Sequence, residues 1–228
     1  MRNPTRTGLI ILILSIAFCN TVYGQAHKNR SEHKKEYVIP FHLTDYNNLS
    51  IEAVVNGKDT VHFMFHTAAN SVSLIEEAVK RTTTLHFDST YTTSSWGGDG
   101  NTSRRSSGNV LRIGDLTWHD LEIFENKYSG QQTDGKLGID LFQEKVIEID
   151  FDRNIIILRE SLPKKTRRYE KLKLTREQEF MFVEAECVIG DASFKNRFLI
   201  HSGYAGAILF DDKFSGDNKL GEKLKIVG

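Results

Sequence analysis

Cysteine is nearly missing from this chain. Its 228 residues include two, Cys19 and Cys187, and the first falls within a segment expected to be removed. One remaining cysteine excludes an intrachain disulfide and a cysteine-based zinc site, so the fold must be held by its core. An excess of one charge sign is missing too. Lys and Arg total 30, Asp and Glu total 30, and the formal net charge is zero, which argues against a nucleic-acid partner. The one basic cluster, Lys164–Arg168, follows Pro163 and reads as a solvated linker. A long apolar run is also lacking. Leu9 to Phe18 is too short for a comfortable membrane span, so no span is expected once that segment is removed. Helix signals are sparse.

What is present points to an exported globular protein. Hydrophobic residues make up 39% and charged residues 26%, a globular composition. Arg2 and Arg6, the apolar stretch from Leu9 and the small residue Gly24 together form a signal-peptide pattern over residues 1–24. The mature chain is expected in the periplasm or outside the cell. The alternative is a lipoprotein anchored through Cys19.

Residues 25–36 are polar. From Tyr37 the pattern is strand-like. Asn56-Gly57 separates two β-rich runs, Ile51 to Val55 and Thr60 to Phe65, which is a hairpin signal. Val72 to Thr82 is expected to hold one short helix. Val110 to Ile113 and Leu121 to Phe124 read as strands flanking the Gly114-Asp115 turn. Val146 to Phe151 and Ile155 to Leu158 read as a hairpin. Residues 161–168 break the pattern as a basic linker. Then the first pattern restarts: VNGKDTVHFMFHTAANSVSL aligns with VIGDASFKNRFLIHSGYAGAIL. This internal repeat implies two similar lobes, each with a hairpin that delivers a histidine, His66 or His201, at a strand end.

An apolar strand followed by Asp-Thr-Gly or Asp-Ser-Gly is how aspartic peptidases of the pepsin and retropepsin type present their catalytic residue. Phe63-Met64-Phe65-His66-Thr67-Ala68-Ala69 resembles the first such signature, with His66 in place of the aspartate and Ala68 in place of the glycine. Ile200-His201-Ser202-Gly203 resembles the second, with His201 for aspartate. Asp134 to Phe142 (DGKLGIDLF) is similar to the family motif in which an apolar residue and a glycine pack under the catalytic loop. Trp96-Gly97-Gly98 sits where the family places its flap. The resemblance implies an all-β fold, with a duplicated acid-protease β-barrel lobe. The first lobe spans 37–160. The second begins at 169–228 and is incomplete in this chain, since a full lobe needs about 100 more residues. It further implies a secreted bacterial relative that carries histidine in both signatures. Thr67, Ser202 and Gly203 are then expected to support the two loops.

An aspartic dyad works because two carboxylates about 3 Å apart share one proton, one acting as base and the other as acid. Two imidazoles do not reproduce this, because their mutual repulsion drops the first pKa below about 6.5. Three functions compete. The first is a cleft that binds a peptide or protein ligand without cleaving it. The second is a zinc site on His66 and His201, completed by a carboxylate or by His62 or His119. The third is a hydrolase with one His as general base. No cofactor is expected under the first. His62 alternates onto the same strand face as His66 and reads as structural or exposed. Asp140 and Asp150 read as solvated turn and strand-end residues rather than a carboxylate pair. Cys187 reads as a buried small hydrophobe.

Overall fold

The computed structural model describes residues 36–224 except 96, 97, 129, 165, 167, 168 and 190, and describes no side chain at 93–101, 189 and 192. The expected signal segment, nearly all of the polar segment, and Trp96 and Gly97 of the expected flap lie outside the described residues. In chain order the strands are β1 (Tyr37–Pro40), β2 (His42–Leu43), β3 (Leu49–Val55), β4 (Asp59–His66), β5 (Val72–Ile75), β6 (Phe87–Ser95), β7 (Gly98–Ile113), β8 (Leu116–Asn126), β9 (Gly135–Gly138), β10 (Val146–Asp150), β11 (Ile155–Arg159), β12 (Leu174–Glu177), β13 (Phe180–Ile189) and β14 (Ala192–Leu199).

Six of these strands close a barrel. β3, β4, β9, β5, β8 and β7 are hydrogen-bonded in that order, and β7 pairs back onto β3. Local chemistry sets the first corner. Asn56 and Gly57 both take left-handed backbone conformations, with φ of 49° and 71°, as a tight hairpin turn requires. The Asn56 side chain then ties the turn to the rest of the barrel. Its Nδ2 donates to Thr84 O at 3.2 Å, and its Oδ1 accepts from the Val110 N–H at 2.8 Å. At the start of β4, Asp59 is buried. Burial alone would raise its pKa, but hydrogen bonds from the backbone and hydroxyls of Thr83 and Thr84 outweigh this and hold the carboxyl below its usual value.

Burial follows strand position. In β3 the buried Ile51, Ala53 and Val55 alternate with exposed Glu52 and half-buried Val54. The end of β4, Phe63 to His66, is buried on both faces, because Phe63 and Phe65 join the core while Met64 and His66 lie against the loop at Gly203. Phe63, Phe65, Leu74, Leu111, Ile123 and Leu137 form the centre of the core. Glycine makes the closest strand approach possible. A Cβ at Gly135 would lie 1.9 Å from the Ser73 carbonyl oxygen, across the β5–β9 pair.

The helix expected within 72–82 is only Glu76–Val79. Val72–Ile75 is a strand instead, because β8 and β9 flank it on either side. The other two sheets have three strands each, in the orders β1-β11-β10 and β12-β13-β14. The β13–β14 hairpin delivers His201, as the β3–β4 hairpin delivers His66. Beyond His201 the two repeats part. Residues 207–210, which align with β5, form no strand, and Ile208 and Leu209 are 56% and 75% exposed. Cys187 on β13 is half-buried rather than buried, because this sheet has less packed against it.

Candidate functional site

The two signature loops meet. The rings of His66 and His201 lie with centroids 4.6 Å apart and planes tilted by 57°. The residues after them lock the loops together in a reciprocal pattern. The Thr67 N–H donates to Ser202 Oγ at 2.9 Å, and the Ser202 N–H donates to Thr67 Oγ1 at 2.9 Å. Each hydroxyl then donates across the interface: Thr67 to the Ile200 carbonyl at 2.8 Å, Ser202 to the Phe65 carbonyl at 2.7 Å. Each carbonyl belongs to the residue two before the opposite hydroxyl, so the network has local two-fold character. Gly203 permits the contact. A Cβ there would lie 2.6 Å from His66 Cδ2 and 2.7 Å from Nε2.

The two rings differ in setting. His66 is 8% exposed, while His201 is on the exposed side of its loop. Burial, then the Lys136 charge, then His201 push the His66 pKa down to about 3. Burial first, with Lys136 adding to it, also lowers that of His201. His66 is therefore neutral at neutral pH. Its Nδ1 accepts a hydrogen bond from the Ala68 N–H at 3.2 Å. A neutral imidazole has one donor and one acceptor nitrogen, so the proton resides on Nε2. The ring presents an N–H to its surroundings, not a lone pair.

Lys136 is the site residue that pattern reading missed. Strand register explains its place. On β9 it pairs with Met64 of β4 and Ser73 of β5, and Gly138 pairs with His66. Residues in register or two apart share a sheet face, so Met64, His66, Lys136 and Ser73 lie on one face. Phe65, Leu137 and Val72 take the opposite, core face. Burial lowers the Lys136 pKa. The signal was a lysine between the glycines of the DGKLG motif, and reading the motif as packing alone hid it.

The remaining candidates lie elsewhere. His62 is exposed and stands 3.8 Å from Glu52 and 3.9 Å from Asp134. His119 is exposed on β8. Gly98 begins β7. Asp150 pairs with Arg153 at 2.7 Å. Asp140 is a correction to the reading of a solvated turn residue. Its Oδ1 is buried without a partner, and burial raises its pKa. It lines a cavity of about 400 Å³ together with Thr67, Ile200, Arg176 and Glu179.

A zinc ion does not fit these residues well. Among the described residues, no group of three or more His, Cys, Asp and Glu side chains could hold a metal. The one additional charge acting on both rings is the Lys136 ammonium, which opposes a cation.

Residues 51–141 match the family model for aspartyl protease. Among solved structures, the chain is similar to the aspartic proteinase from Irpex lacteus, with 10% identity and a TM-score of 0.59, over 82% of this chain and 68% of that one. It also matches a retropepsin-like aspartic protease from Rickettsia conorii at 21% identity and a TM-score of 0.38, over 54% of this chain and 89% of that one. A comparison with curated proteins finds no match.

Proposed function

From a chain that is aspartic-peptidase-like in family and in its all-β, pepsin-type fold, we propose a non-cleaving binding module. In this reading His66 and His201 stand at the positions of the family's aspartate dyad. The cleft between the loops receives an extended segment of a peptide or protein ligand through strand-like hydrogen bonds. The signal-peptide pattern of residues 1–24 supports placing it in the periplasm or outside the cell.

The observation that carries this reading is the tautomer of His66. A peptidase dyad needs one member to take a proton from water. The Nδ1 of His66 is occupied by the Ala68 N–H, and its Nε2 already bears the proton. Accepting a second proton is opposed by burial and by the Lys136 charge. Only His201 is left with an acceptor role, and among the described residues no carboxylate pairs with either ring. One weak base without a partner acid is not a dyad.

The test is proteolysis of unfolded casein from pH 3 to pH 8 by the mature protein, the His66→Asp/His201→Asp double variant and a sample dialysed against a chelator. The expected outcome is no cleavage by the mature protein under any condition. Chelator-sensitive cleavage would replace this reading with a metal-dependent hydrolase. Cleavage indifferent to chelator would make His201 a general base.

A further inference from the structure

We propose that the sheet face beside His66 is a carboxylate site, in which Lys136 Nζ and the Nε2–H of His66 together hold an anionic group of the ligand. This rests on the binding-module reading and names the ligand chemistry that such a module selects.

The argument starts from register. Lys136 lies across from Met64, one pair away from His66, on the same face of adjacent parallel strands. Diagonal neighbours on a sheet face are about 7–8 Å apart at their origins, within reach of a long side chain. The charge of Lys136 acts on both histidine rings, in keeping with the shared sheet face. Among the described residues Lys136 forms no ion pair, and no acidic group acts on its titration. Other lysines and arginines of the chain do find carboxylates: Lys145 with Glu160, Arg104 with Glu125, Arg159 with Glu148. A part-buried ammonium with no counter-charge is costly to keep.

Beside His66 the face offers donors, and the carboxylate two residues before Lys136, Asp134, is already paired with Arg81. His66 Nε2–H is a donor with no acceptor among the described residues. Lys136 adds a positive one. Directly across from Lys136 on β5, Ser73 is 0% exposed and its hydroxyl has no hydrogen-bond partner. Full burial excludes Ser73 as a nucleophile toward substrate. Its unpartnered hydroxyl marks the same place as short of polar partners. Of the two carboxylates of this motif, Asp134 is taken up by Arg81 and by the His62 N–H, and Asp140 lines the cavity with Arg176 and Glu179. A carboxylate suits this set because it accepts from both an ammonium and an imidazole N–H, and charge-assisted bonds are the stronger class. Its source is a ligand C-terminus or an Asp or Glu side chain.

The experiment is a titration of the full mature protein, with histidine rings labelled with ¹⁵N, using three probes. These are N-acetyl-phenylalanine, its amide, and N-acetyl-glutamate α-amide. The readout is the His66 Nε2–H resonance and the Kd fitted from it. The free acid is expected to bind and shift that resonance, and the amide to bind at least about tenfold more weakly. Lys136→Met should weaken the acid by a similar factor, and Lys136→Arg should stay within about threefold of the parent. Matching thermal melts confirm that both variants fold. Tighter binding of the glutamate probe assigns the site to a side chain, and tighter binding of the acid assigns it to a C-terminus. Three results each overturn the proposal: amide equal to acid, Lys136→Met within about twofold of the parent, or no shift at His66 with any probe. None of these bears on cleavage of casein, so the site and the module reading fail independently.

Discussion

The two histidine-bearing loops begin alike and end in different surroundings. Phe65-His66-Thr67 follows a strand held on both sides, by β3 and β9. Ile200-His201-Ser202 follows β14, which pairs only with β13 among the described residues. The segment after His66 re-enters a closed barrel as β5. The aligned segment after His201 remains irregular and exposes Ile208 and Leu209. The same local pattern therefore gives a buried neutral ring in one lobe and an exposed ring in the other. Sequence similarity places the loops; the number of strands around each decides burial, and burial decides charge.

The comparison breaks most sharply in the core. Phe65→Ala removes a ring that is 1% exposed and packs on Phe142 at 5.8 Å. A loss of about 3–5 kcal/mol is expected in urea unfolding. Ile200→Ala, at the aligned position but half-buried, should cost only about 1 kcal/mol. Equal losses would mean that the second lobe is packed as tightly as the first.

Acid is the next lever. His66 keeps a pKa of about 3 when folded and regains about 6.5 when unfolded. Between these values the unfolded chain binds the extra proton, so stability is full above pH 6.5 and falls as pH drops toward 3. At ~1.4 kcal/mol per unit, this one ring accounts for roughly 5 kcal/mol of acid destabilisation once the pH reaches 3. Urea midpoints measured from pH 7 to pH 4 should show a steep decline, and His66→Gln should flatten it. His201→Gln should flatten it less, because that ring is the more exposed of the two.

The reciprocal loop bonds come third. Thr67→Val and Ser202→Ala each remove a hydroxyl that makes two interloop bonds, and each should cost about 1–3 kcal/mol. The double variant should cost less than the sum, by about 1 kcal/mol, since both singles break the same network. Strict additivity in this cycle would show the bonds to be independent. Smallest of all, Leu209→Ser, at 75% exposure, should shift stability by no more than about 0.5 kcal/mol. Its aligned counterpart in the first lobe, Leu74, is fully buried, and Leu74→Ser should be severely destabilising.

Much of the fold was legible before any coordinates. Asn56-Gly57 marked the first hairpin because few other residues accept two left-handed conformations in succession. The repeat around His66 and His201 marked the two loops, and the supporting role of Thr67 and Ser202 followed from the resemblance. The short helix expected within 72–82 forms at Glu76–Val79, but the strand Val72–Ile75 before it was not legible, because a four-residue run has no decisive period. Its strand state comes from β8 and β9, which are distant in sequence. Asp140 was misread for a similar reason, because the cavity it lines is shared with residues 174–200, which are distant in sequence.

The sequence by itself determined an all-β chain with two aligned histidine loops and nearly no cysteine to cross-link them, since turn chemistry and strand alternation act over a few residues. Tertiary structure alone decided that His66 is neutral with its proton on Nε2, that Lys136 shares its sheet face, and that Ser73 lies across from Lys136. Those facts depend on which strands lie side by side and in what register. Register is set by closing the barrel, where one residue of slip turns every side chain to the other face.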